Sequence, residues 1–155
     1  MSAISIVRRR RSTAGRRSSV GGASLVEVLV SVLVLSIGLL GTAAMQATAL
    51  RNSQSSLERS QGVIHAYTIF DAMRANPVAA RGGGYNNAMC AVPAGGTLAG
   101  NDVIAWVAVM RQNLGATACG QINCVGAMCT VTVRWDDSRG TAGAVNQIFS
   151  ATTRI

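Results

Sequence analysis

The dominant hydrophobic pattern is a run rather than a rhythm. From Val28 to Leu50 no side chain carries a charge. Those 23 residues, at ~1.5 Å each in a helix, make a rod of about 35 Å, longer than the ~30 Å hydrocarbon core of a bilayer. The run predicts a membrane-spanning helix over 23–50, interrupted chemically only by Glu27 near its start. Gly38 and Gly41 lower helix propensity in water but permit close backbone approach between packed apolar helices. After Arg51 the chain turns polar and keeps a helical stripe: Val63, Tyr67, Phe70 and Met73, beside Leu57 and Ile64. The helix is therefore expected to continue over 51–76 as an amphipathic segment and to stop by Asn76, because Pro77 disfavours helical geometry in the residue before it.

Beyond that point the periods change. Val78 to Gly100 is rich in Gly, Ala, Asn and Pro and reads as an extended loop, with Gly82-Gly83-Gly84 and Gly95-Gly96 as turns. Neither glycine run is followed by the Lys-Ser/Thr pair of a phosphate loop. Asn101 is the expected cap of a second helix carrying Val103, Trp106, Val107, Met110 and Leu114 on one face, with Gly115 closing it. Thr130 to Trp135 alternates strictly, which puts Val131, Val133 and Trp135 on the buried face of a strand. Val145 to Ile155 supplies a return strand, and Ile122 to Val125 is a short candidate for a third. Between them, Asp136 and Asp137 read as part of a solvated turn, two adjacent acids being far short of a calcium site. The fold class expected is α+β: a long N-terminal helix on a small antiparallel sheet with one additional helix, the residues 77–155 forming one small globular head.

Charge changes the picture at the N-terminus only. The formal net charge is +8, yet Arg8, Arg9, Arg10, Arg11, Arg16 and Arg17 all precede the apolar run in a segment without an acid. From Ala23 onward eight arginines face six acids. Residues 1–22 thus read as a basic leader, and arginines flanking an apolar span hold that flank in the cytoplasm. No recognition fold or interleaved aromatic accompanies them, so nucleic acid is not an expected partner. The apolar run is also longer than the 7 to 15 residues typical of a cleaved secretory signal, which argues against removal at the small-residue stretch Ala47-Thr48-Ala49.

Cys90, Cys119, Cys124 and Cys129 all follow the span. With the leader in the cytoplasm they face an oxidising compartment, so disulfides are expected, with three pairings open. Their spacing and the lone, distant His65 do not suit a zinc site. One His, no Lys and few acids supply no catalytic constellation, so neither an enzymatic activity nor a cofactor nor a metal is expected.

The segment Gly22-Ala23-Ser24-Leu25-Val26-Glu27, placed between a basic leader and a long apolar run, resembles the type III signal of type IV prepilins. The resemblance implies cleavage by prepilin peptidase between Gly22 and Ala23, N-methylation of Ala23, and an assembly salt bridge from Glu27 to the new ammonium of a neighbouring subunit. Ser24, Leu25 and Val26 are conservative matches to the family's signal; Ala23 stands where the family usually carries Phe. An ionised carboxylate within a span costs ~2.5–3.5 kcal/mol, so Glu27 needs such a cation or a proton. The run Asp71-Ala72-Met73-Arg74-Ala75-Asn76-Pro77, the helix with Trp106 and the strand Thr130 to Asp136 are similar to the PilV minor pilins, the type IV pilus modification proteins. That likeness implies a pilin-like fold and a structural role in pilus assembly or initiation, adhesion and twitching motility. Implied partners are prepilin peptidase, other minor pilins, the major pilin and the inner-membrane assembly platform. The implied location is the bacterial inner membrane with a periplasmic head, then the pilus. Pseudopilins of type II secretion share the signal and are the alternative; an anchored or secreted periplasmic binding domain is a further one.

Overall fold

The computed structural model describes residues 22–155; the leader expected over 1–22 lies, up to residue 21, outside the described residues. Six elements follow in order: α1 (Leu25–Ala75), α2 (Pro77–Arg81), α3 (Leu98–Leu114), β1 (Cys119–Val125), β2 (Met128–Trp135) and β3 (Gln147–Arg154). The strands form one antiparallel sheet in the order β1-β2-β3. The architecture is therefore α+β, with a long N-terminal apolar helix, a three-stranded antiparallel sheet and additional helix. Two units divide the chain, one ending at Leu40 and the other running from Gly41 to Ile155.

In the first unit, Ser24 starts α1 by accepting from the Glu27 backbone N–H at 3.4 Å. Every residue from Gly22 to Gln54 is exposed. The hydroxyls in the apolar stretch turn back onto the helix: Ser31 donates to the Glu27 carbonyl and Ser36 to the Val32 carbonyl, each at 2.7 Å. Their polar groups are thereby satisfied within the segment, which is what an apolar surrounding demands.

In the second unit, α1 ends where Pro77 requires. Asn76 leaves helical geometry (φ −133°, ψ 63°), and the chain restarts at once, because proline at the first position of a helix lacks only a donor that would be idle there. The result is α2, a short helix where a loop is expected from Val78 onward. Past Gly82, the buried Tyr85 donates to Asp102 Oδ2 at 2.7 Å and so pins the loop to α3. The cap of α3 is Thr97 rather than Asn101: the Thr97 hydroxyl accepts from Gly100 N–H at 3.0 Å. Asn101 lies inside the first turns and instead accepts from Gly96 N–H. Gly115 closes α3 with φ 98°.

The sheet is larger than expected on its weak side, since β1 extends over seven residues. It pairs with β2 through a two-residue turn at Gly126 (φ 58°). Its outer edge is covered by two side chains acting as a substitute strand. Asn86 bridges the N–H and carbonyl of Cys124, and Asn87 accepts from Ile122 N–H while donating to the Gly120 carbonyl. Such cover removes the unpaired donors and acceptors that make a sheet edge adhesive.

The core lies between α1, α3 and the sheet. Val131, Val133 and Trp135 point inward as the alternation predicts, and so do Val103, Trp106, Val107, Met110 and Leu114 on α3. On α1 the buried face differs from the expected stripe. Phe70 and Met73 are buried, but Tyr67, Leu57 and Ile64 are exposed, and their place is taken by Gly62, His65, Ala66 and Ile69. The reason is steric. A Cβ on Gly62 would stand 2.9 Å from Trp135 Cζ3, so the helix presents its glycine to that ring. Trp106 Nε1 donates to the His65 carbonyl at 2.9 Å, which fixes α3 against α1.

Candidate functional site

Three groups of residues carry the chemistry. The first is the N-terminal signal. Gly22, Ala23 and Ser24 precede the helix in exposed, non-helical backbone, and Leu25 and Val26 begin it. Glu27 lies in the first turn and is exposed, where the helix dipole favours a negative charge. The apolar stretch that follows makes α1 long and apolar enough to cross a membrane.

The second group is the cysteines. Of the three pairings, the structure holds Cys90–Cys119 and Cys124–Cys129. The first ties the loop carrying Asn86 and Asn87 to the start of β1. The second joins directly opposed residues of the β1–β2 hairpin. Both are placed to hold the covered edge of the sheet.

The third group was not legible in advance. Asp137, expected in a solvated turn, is 1% exposed. Its Oδ2 accepts from Ser55 Oγ at 2.7 Å and faces Arg59 Nη2 at 3.4 Å. Its own backbone organises the turn, the carbonyl accepting from Gly140 N–H and the N–H donating to the Ala144 carbonyl. Asp136 keeps the turn character expected of it, its carboxylate held below the usual range by the Ser138 backbone N–H and hydroxyl. Beside Asp137, Glu58 is buried on α1, and burial pushes its carboxyl up. Arg139 and Gln54 oppose that shift, while the charge of Asp137 adds to it. Arg139 approaches only to 3.6 Å and is largely exposed. Ser55, Glu58, Asp137, Arg139 and Gln54, together with Arg51, Ser138 and Gly140, line an open cleft of about 470 Å³. The available signal was polar residues at 55, 58 and 59 on a helix predicted to dock; nothing in their own segment pointed to position 137.

His65 is buried against α3, where Asn113 Nδ2 lies 3.2 Å from its Nε2, and burial lowers its pKa. Its ring is packed rather than presented. Among the described residues no group of three or more His, Cys, Asp or Glu side chains is arranged to hold a metal ion.

No family model, no curated protein and no solved structure matches this chain.

Proposed function

We propose that the chain is a minor pilin of a type IV pilus, made as a prepilin, cut between Gly22 and Ala23, methylated at Ala23, and incorporated into the filament through Glu27. The observation that carries this reading is the form of α1. One continuous helix, Leu25–Ala75, begins three residues after Gly22, carries a carboxylate in its first turn, leaves its apolar part wholly exposed and becomes part of the core of an α+β head further on. An isolated apolar helix gains nothing from water, so this part is suited first to lipid and then to a bundle of like helices. In such a bundle an ammonium and a carboxylate on adjoining chains neutralise each other, and the register at which they meet sets the stagger.

In this reading the arginine-rich flank stays cytoplasmic and the head, with its two disulfides, lies in the periplasm before extraction into the pilus. Partners are the peptidase, the other pilins and the assembly platform, and the role is structural. The test is the mass of the purified protein together with assembly of a variant. A chain beginning at methylated Ala23, and loss of incorporation on Glu27→Ala with the protein still in the membrane, are the expected results. A chain beginning at Leu50 would make it a secreted domain, and one retaining Met1 a plain anchor. Co-purification with secretion components rather than pilins would make it a pseudopilin.

A further inference from the structure

The cleft around Glu58 occupies a particular position along α1. Arg51 is the first charged residue after Val28–Leu50, and Glu58 follows seven residues later, about 10 Å along the helix axis. The headgroup layer of a bilayer is about 5–8 Å deep on each side of its hydrocarbon core. If Leu50 marks the edge of the core, the Arg51 and Gln54 end of the cleft lies at headgroup depth, and Glu58, about 12 Å beyond Leu50 along the axis, stands just outside that layer, where a headgroup directed away from the core can meet it.

The charges in the cleft are unevenly satisfied. Asp137 is engaged by Ser55 and Arg59 and holds the turn in place. Glu58 is buried, with Arg139 only loosely placed at 3.6 Å. Arg51 is exposed and makes no ion pair among the described residues. A buried carboxylate at one wall and arginines at the rim make a zwitterionic receptor, open on one side and large enough for a small polar group. The complementary ligand carries a phosphate and, a few bonds away, a primary ammonium. An ammonium offers Glu58 up to three donors, and guanidinium groups suit phosphate oxygens.

We propose that this cleft, formed by Arg51, Gln54, Glu58, Ser138 and Arg139, binds the headgroup of an aminophospholipid, with its phosphate on Arg51 and Arg139 and its ammonium on Glu58. The site rests on α1 being a membrane span and is independent of whether the protein enters a pilus. It would tie the cleft to the membrane surface, and extraction from the membrane would require its release.

The test uses the full-length chain in mild detergent, titrated separately with ethanolamine, choline and glycerol phospholipids of equal chain length and with soluble glycerophosphoethanolamine, bound molecules being counted by native mass spectrometry. One ethanolamine lipid should bind about tenfold more tightly than the choline lipid, since only the former donates to the buried carboxylate. Glu58→Gln should abolish that preference, and Arg51→Gln should weaken ethanolamine, choline and glycerol lipids alike, both variants keeping the circular dichroism of the parent. Equal retention of ethanolamine and choline lipids, or a preference that survives Glu58→Gln, would overturn the proposal. Binding of glycerophosphoethanolamine as tight as that of the lipid would overturn the bilayer as its source. Flotation with choline-lipid vesicles tests the span separately: a chain that fails to float defeats both the span and the site, whereas one that floats without headgroup preference defeats the site alone.

Discussion

The two parts of α1 share one backbone and differ in what surrounds them. Up to Leu50 the large side chains are exposed, Leu33 and Leu40 at 59% and 72% for example, and no other element covers them. From Gly62 to Met73 the same helix contributes Ala66, Ile69, Phe70 and Met73 to the core, all at 1% or less. In the first part the side-chain hydrogen bonds of Ser31, Ser36 and Thr48 return to the helix's own carbonyls, and its exposed apolar surface suits an apolar surrounding better than water. The second part is held by tertiary packing. A single helix thus joins a region whose environment lies outside the molecule to one whose environment is the molecule itself.

Substitutions should separate the two sharply. Trp106→Ala removes a ring packed on α1 and Gly120 and a hydrogen bond to His65, and should lower head stability by about 3–5 kcal/mol in a urea titration of the detergent-solubilised chain. Leu33→Ala, at a side chain that is 59% exposed, should shift that transition by less than about 0.5 kcal/mol. A comparable loss in both would mean that the apolar part also folds onto the head.

The disulfides sharpen the comparison within the head. On chain entropy, replacing Cys90 and Cys119 with Ser opens the larger loop and should cost about 3–4 kcal/mol, whereas replacing Cys124 and Cys129 should cost about 2 kcal/mol. Amide exchange should locate the larger loss at the β1 edge, where Asn86 and Asn87 would no longer be held in place.

Next in size is a pH effect. Burial holds the His65 pKa below its ordinary 6.5, so the unfolded chain takes up a proton before the folded one. Stability from this residue is fully present above the unfolded pKa and is lost as pH falls through 6.5 toward the lower folded value. The urea midpoint should therefore decline on acidification in that window, and His65→Gln should flatten the decline. Glu58 works in the opposite sense: its raised pKa means that stability falls as pH rises through its ordinary 4.5 toward the folded value. The smallest effect belongs to Asp71, whose 2.8 Å pair with Arg74 is exposed. Asp71→Ala should cost only a few tenths of a kcal/mol, measured in the same titration.

Much of this was legible because it depends on local period. The apolar run, the stop before Pro77, the face of α3 and the alternation of β2 each follow from residues close together in sequence. The misreadings share the opposite cause. The stripe through Leu57, Ile64 and Tyr67 is a sound amphipathic pattern, yet the sheet selects the adjacent face because Gly62 leaves room for Trp135. Asp137 looks like a turn acid until Ser55 and Arg59 arrive from 82 and 78 positions away. Thr97 outcompetes Asn101 as a cap because Tyr85 and Asp102 fix where α3 begins to pack.

The sequence by itself determined the long N-terminal helix and its stop before Pro77, the buried face of the second long helix, the alternating strand at 130–135 and its return partner, where the uncharged run begins and ends, and that one acid stands at its start. These are matters of short-range sterics and of the contrast between water and hydrocarbon. Tertiary structure alone decided which face of α1 is buried, which cysteines pair, and that Glu58 and Asp137 share a cleft. Those outcomes depend on shape and charge meeting across long stretches of chain, and only the folded packing brings such groups within a few ångströms.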